Sequence, residues 1–179
     1  VTHANQNEHD GMDRVLSNTI VGLSRLVKKN RPDLLVVHGD RVEALAGAIV
    51  GGLQNILVAH VEGGELSGTI DNSLRHSISN LAHLHFVAHS AARDVLVRLG
   101  EDRSRIFVIG SPEVDLFAEE LPNLETVRQK YGIPFEEYGL AILHPVTTLS
   151  YEQLLLEAGV FYRALQRSGQ RLVVIYPNN

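Results

Sequence analysis

Two kinds of hydrophobic pattern alternate along the chain. Short apolar runs, LLVVH, ILVAH, HFVA, IFVI, LAIL and LVVIY, are separated by longer stretches in which apolar side chains return every three or four residues. The first pattern belongs to strands buried between layers, the second to amphipathic helices packed over them. It predicts strands at Leu34–His38, Ile56–His60, His85–Ala88, Ile106–Ile109, Leu140–Leu143 and Leu172–Tyr176. Helices are predicted at Met12–Lys28, Val42–Leu53, Ser73–Ala82, Ala91–Leu99 and Tyr151–Gln166. Strands alternating with helices, on a mainly parallel sheet covered on both sides, place the chain in the α/β class.

The rhythm fails between Pro112 and Tyr138, an acidic segment with Pro112, Pro122 and Pro134, and restarts at the strand GLAIL. Such a shift marks a domain boundary. We expect it near Pro134, with one domain over 1–133 and the start of another over 134–179.

Composition narrows the function. With 179 residues, 44% of them hydrophobic, the chain can bury a real core. No apolar run approaches the roughly 18 residues of a membrane span, so no membrane partner is expected. A net charge of −5 and a pI near 6.0 argue against nucleic-acid binding, for which a basic face would be needed. The absence of cysteine excludes disulfides and thiolate metal sites, and fits a reducing cytoplasm. The first residue is not Met and the chain stops at a strand, so it reads as an excerpt of something longer.

Ligands of open α/β sheets bind beyond the carboxyl ends of the strands, so the polar residues that follow each apolar run carry the candidate chemistry. After VVHG come Asp40, which could equally be a helix N-cap, and Arg41, which could neutralise a phosphate. Glu62 follows the second strand, and the Gly63–Gly64 pair behind it would let a ligand approach backbone N–H groups. Asp71 and Arg75, spaced i, i+4, share one helix face, where a plain surface ion pair is the competing explanation. His144 follows the fifth strand, as a proton donor near neutral pH or simply a satisfied polar residue. His3, His9, His76, His83, His85 and His89 show no metal-ligand spacing with carboxylates, and no metal site is expected.

Taken together, HGDR, HVEGGELSGTIDNSLRH, RIFVIGSPEVD, HPVTT and YPNN resemble the hydrolysing UDP-N-acetylglucosamine 2-epimerases of sialic acid biosynthesis. The likeness runs from Asp33 to the last residue with the motifs in family order. The related non-hydrolysing enzymes carry a GDT-type turn and an HVEAGLR-type loop, where this chain has Arg41 and GGELSGT.

The resemblance implies a glycosyltransferase B-type fold of two Rossmann-like, doubly wound domains with the active site between them. The chain would be a fragment of it: most of the first domain without its first βα unit, and the opening of the second. It further implies a UDP-sugar substrate and UDP product, no cofactor, a cytoplasmic homodimer or homotetramer, and catalytic Asp40, Glu62, Asp71 and His144. Arg41, Gly63, Gly64, Ser67, Arg75, His144 and Asn178 would contact substrate. The implied reaction removes the C2 proton, expels UDP to give a 2-acetamidoglucal, and adds water. We expect Glu62 and Asp71 to form a crowded carboxyl pair for the two proton transfers. Competing readings are a hydrolysing 2-epimerase of a UDP- or GDP-linked diacetamido-trideoxyhexose, and a non-catalytic nucleotide-sugar-binding or glycosyltransferase B-type module.

Overall fold

The computed structural model describes residues 11–118, 121–146 and 149–176. They fall into two compact units, Val1–Ala118 and Glu119–Asn179. In the first unit, helix α1 (Met12–Asn30) leads into strand β1 (Leu34–His38), followed by α2 (Val42–Leu53), β2 (Leu57–Val61), α3 (Ile70–Leu81), β3 (Leu84–Val87), α4 (Ser90–Arg98), β4 (Ile106–Val108) and the short α5 (Pro112–Asp115). The second unit holds α6 (Leu124–Tyr131), β5 (Gly139–Ile142), α7 (Tyr151–Ser168) and β6 (Leu172–Ile175). Among the described residues no helix is long and apolar enough to cross a membrane.

The four strands of the first unit are all parallel and lie in the order β1-β2-β3-β4. A right-handed crossover between each neighbouring pair puts the connecting helices on one face. The register agrees: Val37, His60, His85 and Ile106 form one row across the sheet, and all four are buried. Around that row Val37, Val58, Ala48 and Ile78 form one core cluster, and Val87, Ala92, Leu96 and Ile106 another. Burying each large aliphatic side chain contributes about 1.5–3 kcal/mol, so this face holds the unit together. On the opposite face Leu34, Val36, Leu57 and Phe107 are exposed. A doubly wound sheet would need a reversal of strand order; the described strands make up one winding of it.

Parallel pairing brings the carboxyl ends of all four strands to one edge, with the turns after β1, β2 and β4 side by side there. In the second unit β5 and β6 pair in parallel, joined by α7. The unit boundary falls ahead of Pro134. The reason is local: Asn123 caps α6 through its side chain and Gly132 ends that helix in a left-handed conformation, so the prolines around it bracket a helix of the second unit.

Candidate active site

The turns after β1 and β2 are tied to α3 by two anchors. The first is His60, fully buried in β2. Its Nε2 lies 2.8 Å from the carbonyl of Gly39 in the β1 turn, and its Nδ1 lies 2.9 Å from the hydroxyl of Ser79 in α3. Since a carbonyl only accepts, Nε2 carries the proton and Nδ1 is left to accept from Ser79. Burial pushes the His60 imidazole down to about 4, with the Gly39 carbonyl opposing and His85, Arg75 and His38 adding to the shift. The ring is therefore neutral, a strut and not a charge. A Cβ at Gly63 would sit 2.9 Å from both His60 Nδ1 and Ser79 Oγ, so only glycine lets the loop cross this pair.

The second anchor is Arg75 in α3. One arm of its guanidinium is paired with the Asp40 carboxylate, and the other donates to the carbonyl of Glu65 at 2.9 Å. It thereby ties α3 to the turns after β1 and β2. Two sequence expectations change here. Asp40 is not an N-cap: α2 begins at Val42 with Arg41 as its capping residue, one position later, and the Asp40 side chain is drawn to Arg75 instead. Nor does Arg75 pair with Asp71 on its own helix. Asp71 lies in the first turn of α3, which starts at Ile70 with Thr69 as N-cap, and its carboxylate accepts from the Thr69 hydroxyl at 2.7 Å.

Glu62 follows β2 directly. Its N–H completes the ladder to Phe86 at 2.8 Å, and then its backbone turns left-handed, with φ of 63°. A side chain other than glycine rarely adopts that conformation, and here it sends the carboxyl group across the strand ends. There Oε2 meets His38 Nε2 at 2.8 Å and Oε1 accepts from the Ser111 hydroxyl at 2.6 Å. Ser111 also lies 2.5 Å from Glu113, whose carboxylate is 3.7 Å from His38. The expected Glu62–Asp71 pair is thus replaced, among the described hydrogen bonds, by a Glu62–Glu113 pair bridged through Ser111. Hydrogen bonding from Ser111 first, and then from Glu62, pushes the Glu113 carboxyl down to about 2.

The remaining expected residues lie as follows. Gly63 and Gly64 are buried beneath the loop, and Gly64 has φ of 81°. Ser67 is exposed and its N–H donates to Asn72 at 3.2 Å. The Arg41 side chain is exposed beside Glu43 at 3.6 Å. His144 follows β5 in the second unit and is exposed. Asn178 lies outside the described residues.

Sequence reasoning passed over His38, Ser79, Ser111 and Glu113. The signal for His38 was its place at a strand end, and for Ser111 and Glu113 the motif GSPEVD. His38, Glu62 and Glu113 also form the one group among the described residues whose donor atoms, all within 4.8 Å, could hold a metal ion. The direct His38–Glu62 contact and the Ser111 bridge account for their closeness by hydrogen bonding alone. What the arrangement can do without an ion is move protons at the carboxyl ends of the strands, next to the Asp40–Arg75 ion pair.

The whole chain, residues 1–179, matches the family model for UDP-N-acetylglucosamine 2-epimerase. It is 50% identical over 177 residues to the UDP-N-acetylglucosamine 2-epimerase of Neisseria meningitidis serogroup B, covering 98% of this chain and 47% of the relative. To the hydrolysing UDP-N,N'-diacetylbacillosamine 2-epimerase of Legionella pneumophila it is 32% identical over 174 residues, 96% of this chain and 46% of the relative. The chain thus spans about half the length of the relatives it matches. The fold is also that of the Methanocaldococcus jannaschii UDP-GlcNAc 2-epimerase solved with UDP-GlcNAc and UDP: TM-score 0.80 at 24% identity, covering 93% of this chain and 48% of that one. The Neisseria meningitidis UDP-GlcNAc 2-epimerase bound to UDP-GlcNAc gives a TM-score of 0.76 at 17% identity, covering 96% and 50%.

Proposed function

The chain belongs to the UDP-N-acetylglucosamine 2-epimerase family, and on that premise we propose that the whole protein is a hydrolysing epimerase, converting UDP-N-acetylglucosamine and water to N-acetylmannosamine and UDP in sialic acid biosynthesis. The observation that carries this reading is the posture of Glu62. A carboxyl group held over the strand ends by a left-handed backbone, and hydrogen-bonded to His38 and Ser111, supports a role in proton transfer. The hydrolysing branch is supported by the loop GGELSGT and by the likeness to the Legionella enzyme.

The chemistry assigns the groups. Taking the C2 proton needs a base within hydrogen-bond reach, and returning one to the opposite face needs a second group, which fits Glu62 and Asp71. Their order is left open. Asp40, its charge balanced by Arg75, is suited to accept hydrogen bonds from sugar hydroxyls. Gly63, Gly64 and Ser67 would offer backbone and hydroxyl donors along the same loop. Arg41, His144 and Asn178 would meet the charge that develops on the departing diphosphate. No cofactor is needed, because elimination and hydration leave the oxidation state unchanged. Replacing a well-placed acid or base slows turnover ~10²–10⁴-fold. Glu62→Gln in the whole protein should lose that much in kcat, measured by UDP release; normal turnover would remove Glu62 from the mechanism.

A second reading has its own support. The chain is 50% identical over 82 residues to the Campylobacter jejuni enzyme named GDP/UDP-N,N'-diacetylbacillosamine 2-epimerase (hydrolyzing), so the sugar could be a diacetamido-trideoxyhexose. Parallel assays with the three nucleotide sugars decide between them.

A further inference from the structure

The hydrogen bonds around Ser111 do not balance for two ionised carboxylates. A serine hydroxyl has one hydrogen to donate, yet its oxygen lies 2.6 Å from Glu62 Oε1 and 2.5 Å from Glu113 Oε2. Both contacts lie within the ordinary range of about 2.5–2.7 Å for a charge-assisted O–H···O bond. Both contacts are satisfied together when the hydroxyl donates to one carboxyl and accepts from the other, an arrangement in which the pair holds one proton.

We propose that Ser111 and Glu113 are positioning residues for Glu62, forming a hydroxyl-bridged carboxyl pair that keeps one proton ready for transfer at C2. Whichever way Glu62 carries that proton, the Ser111 hydroxyl can swing its hydrogen to the carboxylate left without one. Glu113 then holds the negative charge while Glu62 is protonated. The other group facing Glu62 is His38 from β1, which also reaches Glu113. The next charges along the strand ends, Asp40 and Arg75, cancel in their own ion pair. Neither Ser111 nor Glu113 is part of the core clusters: Ser111 stands at the N-cap of α5 and Glu113 in its first turn, with the Glu113 side chain 57% exposed.

This inference rests on the epimerase reading of Glu62, and the experiment separates the two. Glu113→Gln, Ser111→Ala and Ser111→Thr are made in the whole protein, with kcat, KM and the pH profile of kcat measured for UDP-N-acetylglucosamine. Removing the charge of Glu113 lowers the negative potential at the site, so the acid limb of the kcat profile moves to lower pH. The kcat of Glu113→Gln and of Ser111→Ala falls about tenfold, less than the ~10²–10⁴-fold for losing the acid or base itself, with KM little changed. Ser111→Thr, which keeps the hydroxyl, restores most of it.

Wild-type kcat and pH profile in Glu113→Gln and Ser111→Ala, beside a Glu62→Gln that is inactive, would overturn the positioning role and leave the epimerase reading standing. An active Glu62→Gln would overturn both. Turnover abolished by a chelator and restored by Mn²⁺ or Mg²⁺ would also overturn it, because His38, Glu62 and Glu113 would then be metal ligands. Unchanged urea midpoints for the variants confirm that lost turnover is not lost folding.

Discussion

Two residues show how the site is held and what that costs. Glu62 occupies left-handed backbone space, which is disfavoured by roughly 1–2 kcal/mol for any residue with a Cβ and by nothing for glycine. Replacing Glu62 by glycine should therefore give a protein about 1 kcal/mol more stable than replacing it by alanine, the reverse of the order found in ordinary helices and strands. Urea unfolding of the two variants checks this. His60 works through its neutrality. Its pKa of about 4 in the folded state lies below the ordinary 6.5, so between those values the unfolded chain binds the extra proton. The stability His60 contributes is complete above pH 6.5 and is lost as pH falls toward 4, by about 3 kcal/mol over the full window. His85 is shifted down by burial as well and acts in the same direction. Unfolding free energies measured at pH 7 and 4.5 should fall more steeply for the wild type than for His60→Gln, which cannot charge.

At the scale of elements, the loop between β2 and α3 decides where Asp71 stands. Periodicity placed the start of that helix at Ser73, because Thr69, Ile70 and Asp71 follow a Ser-Gly turn and look like loop. In the structure Thr69 caps the helix, so Asp71 enters the first turn, where the helix dipole favours its negative charge. Thr69→Ala should cost about 1 kcal/mol in the urea midpoint and, by freeing the Asp71 carboxylate, reduce turnover as well. The strands were legible because a run such as LLVVH has no amphipathic alternative, and α7 because its three-to-four-residue apolar spacing runs over 18 residues. Helix α6 was not, since its eight residues lie among prolines and carry no buried side chain. For the site, strand-end position pointed to Asp40 and Glu62, and helical spacing to Asp71 and Arg75. Neither could give their partners. The Asp40–Arg75 pair and the Glu62–Ser111 bond each join residues far apart in sequence, and the parallel register alone brings them together.

For the molecule as a whole, the placement of charge bears on which reaction is run. The chain carries a net charge of −5, so a nucleotide diphosphate gains nothing from the overall field and must be met by local cations. Arg75 is already spent on Asp40, whereas the Arg41 side chain is largely exposed beside Glu43, where such a pair is weak and easily exchanged for a phosphate. The carboxylates, by contrast, outnumber what binding a sugar requires. Asp40, Glu62, Asp71 and Glu113 all follow strand ends or open helices in the first unit, and a transferase or a binding module with the same fold would have no use for so many carboxyl groups at the strand ends. Hydrolysing epimerisation does, because the proton removed from C2 is replaced by one from the other face, through a group in exchange with water. Turnover of UDP-N-acetylglucosamine by the whole protein in heavy water should therefore give N-acetylmannosamine carrying one deuterium at C2, with UDP released in equal amount. Release of UDP with the C2 hydrogen retained would instead mean simple cleavage of the glycosidic bond, and the carboxylates would need another explanation.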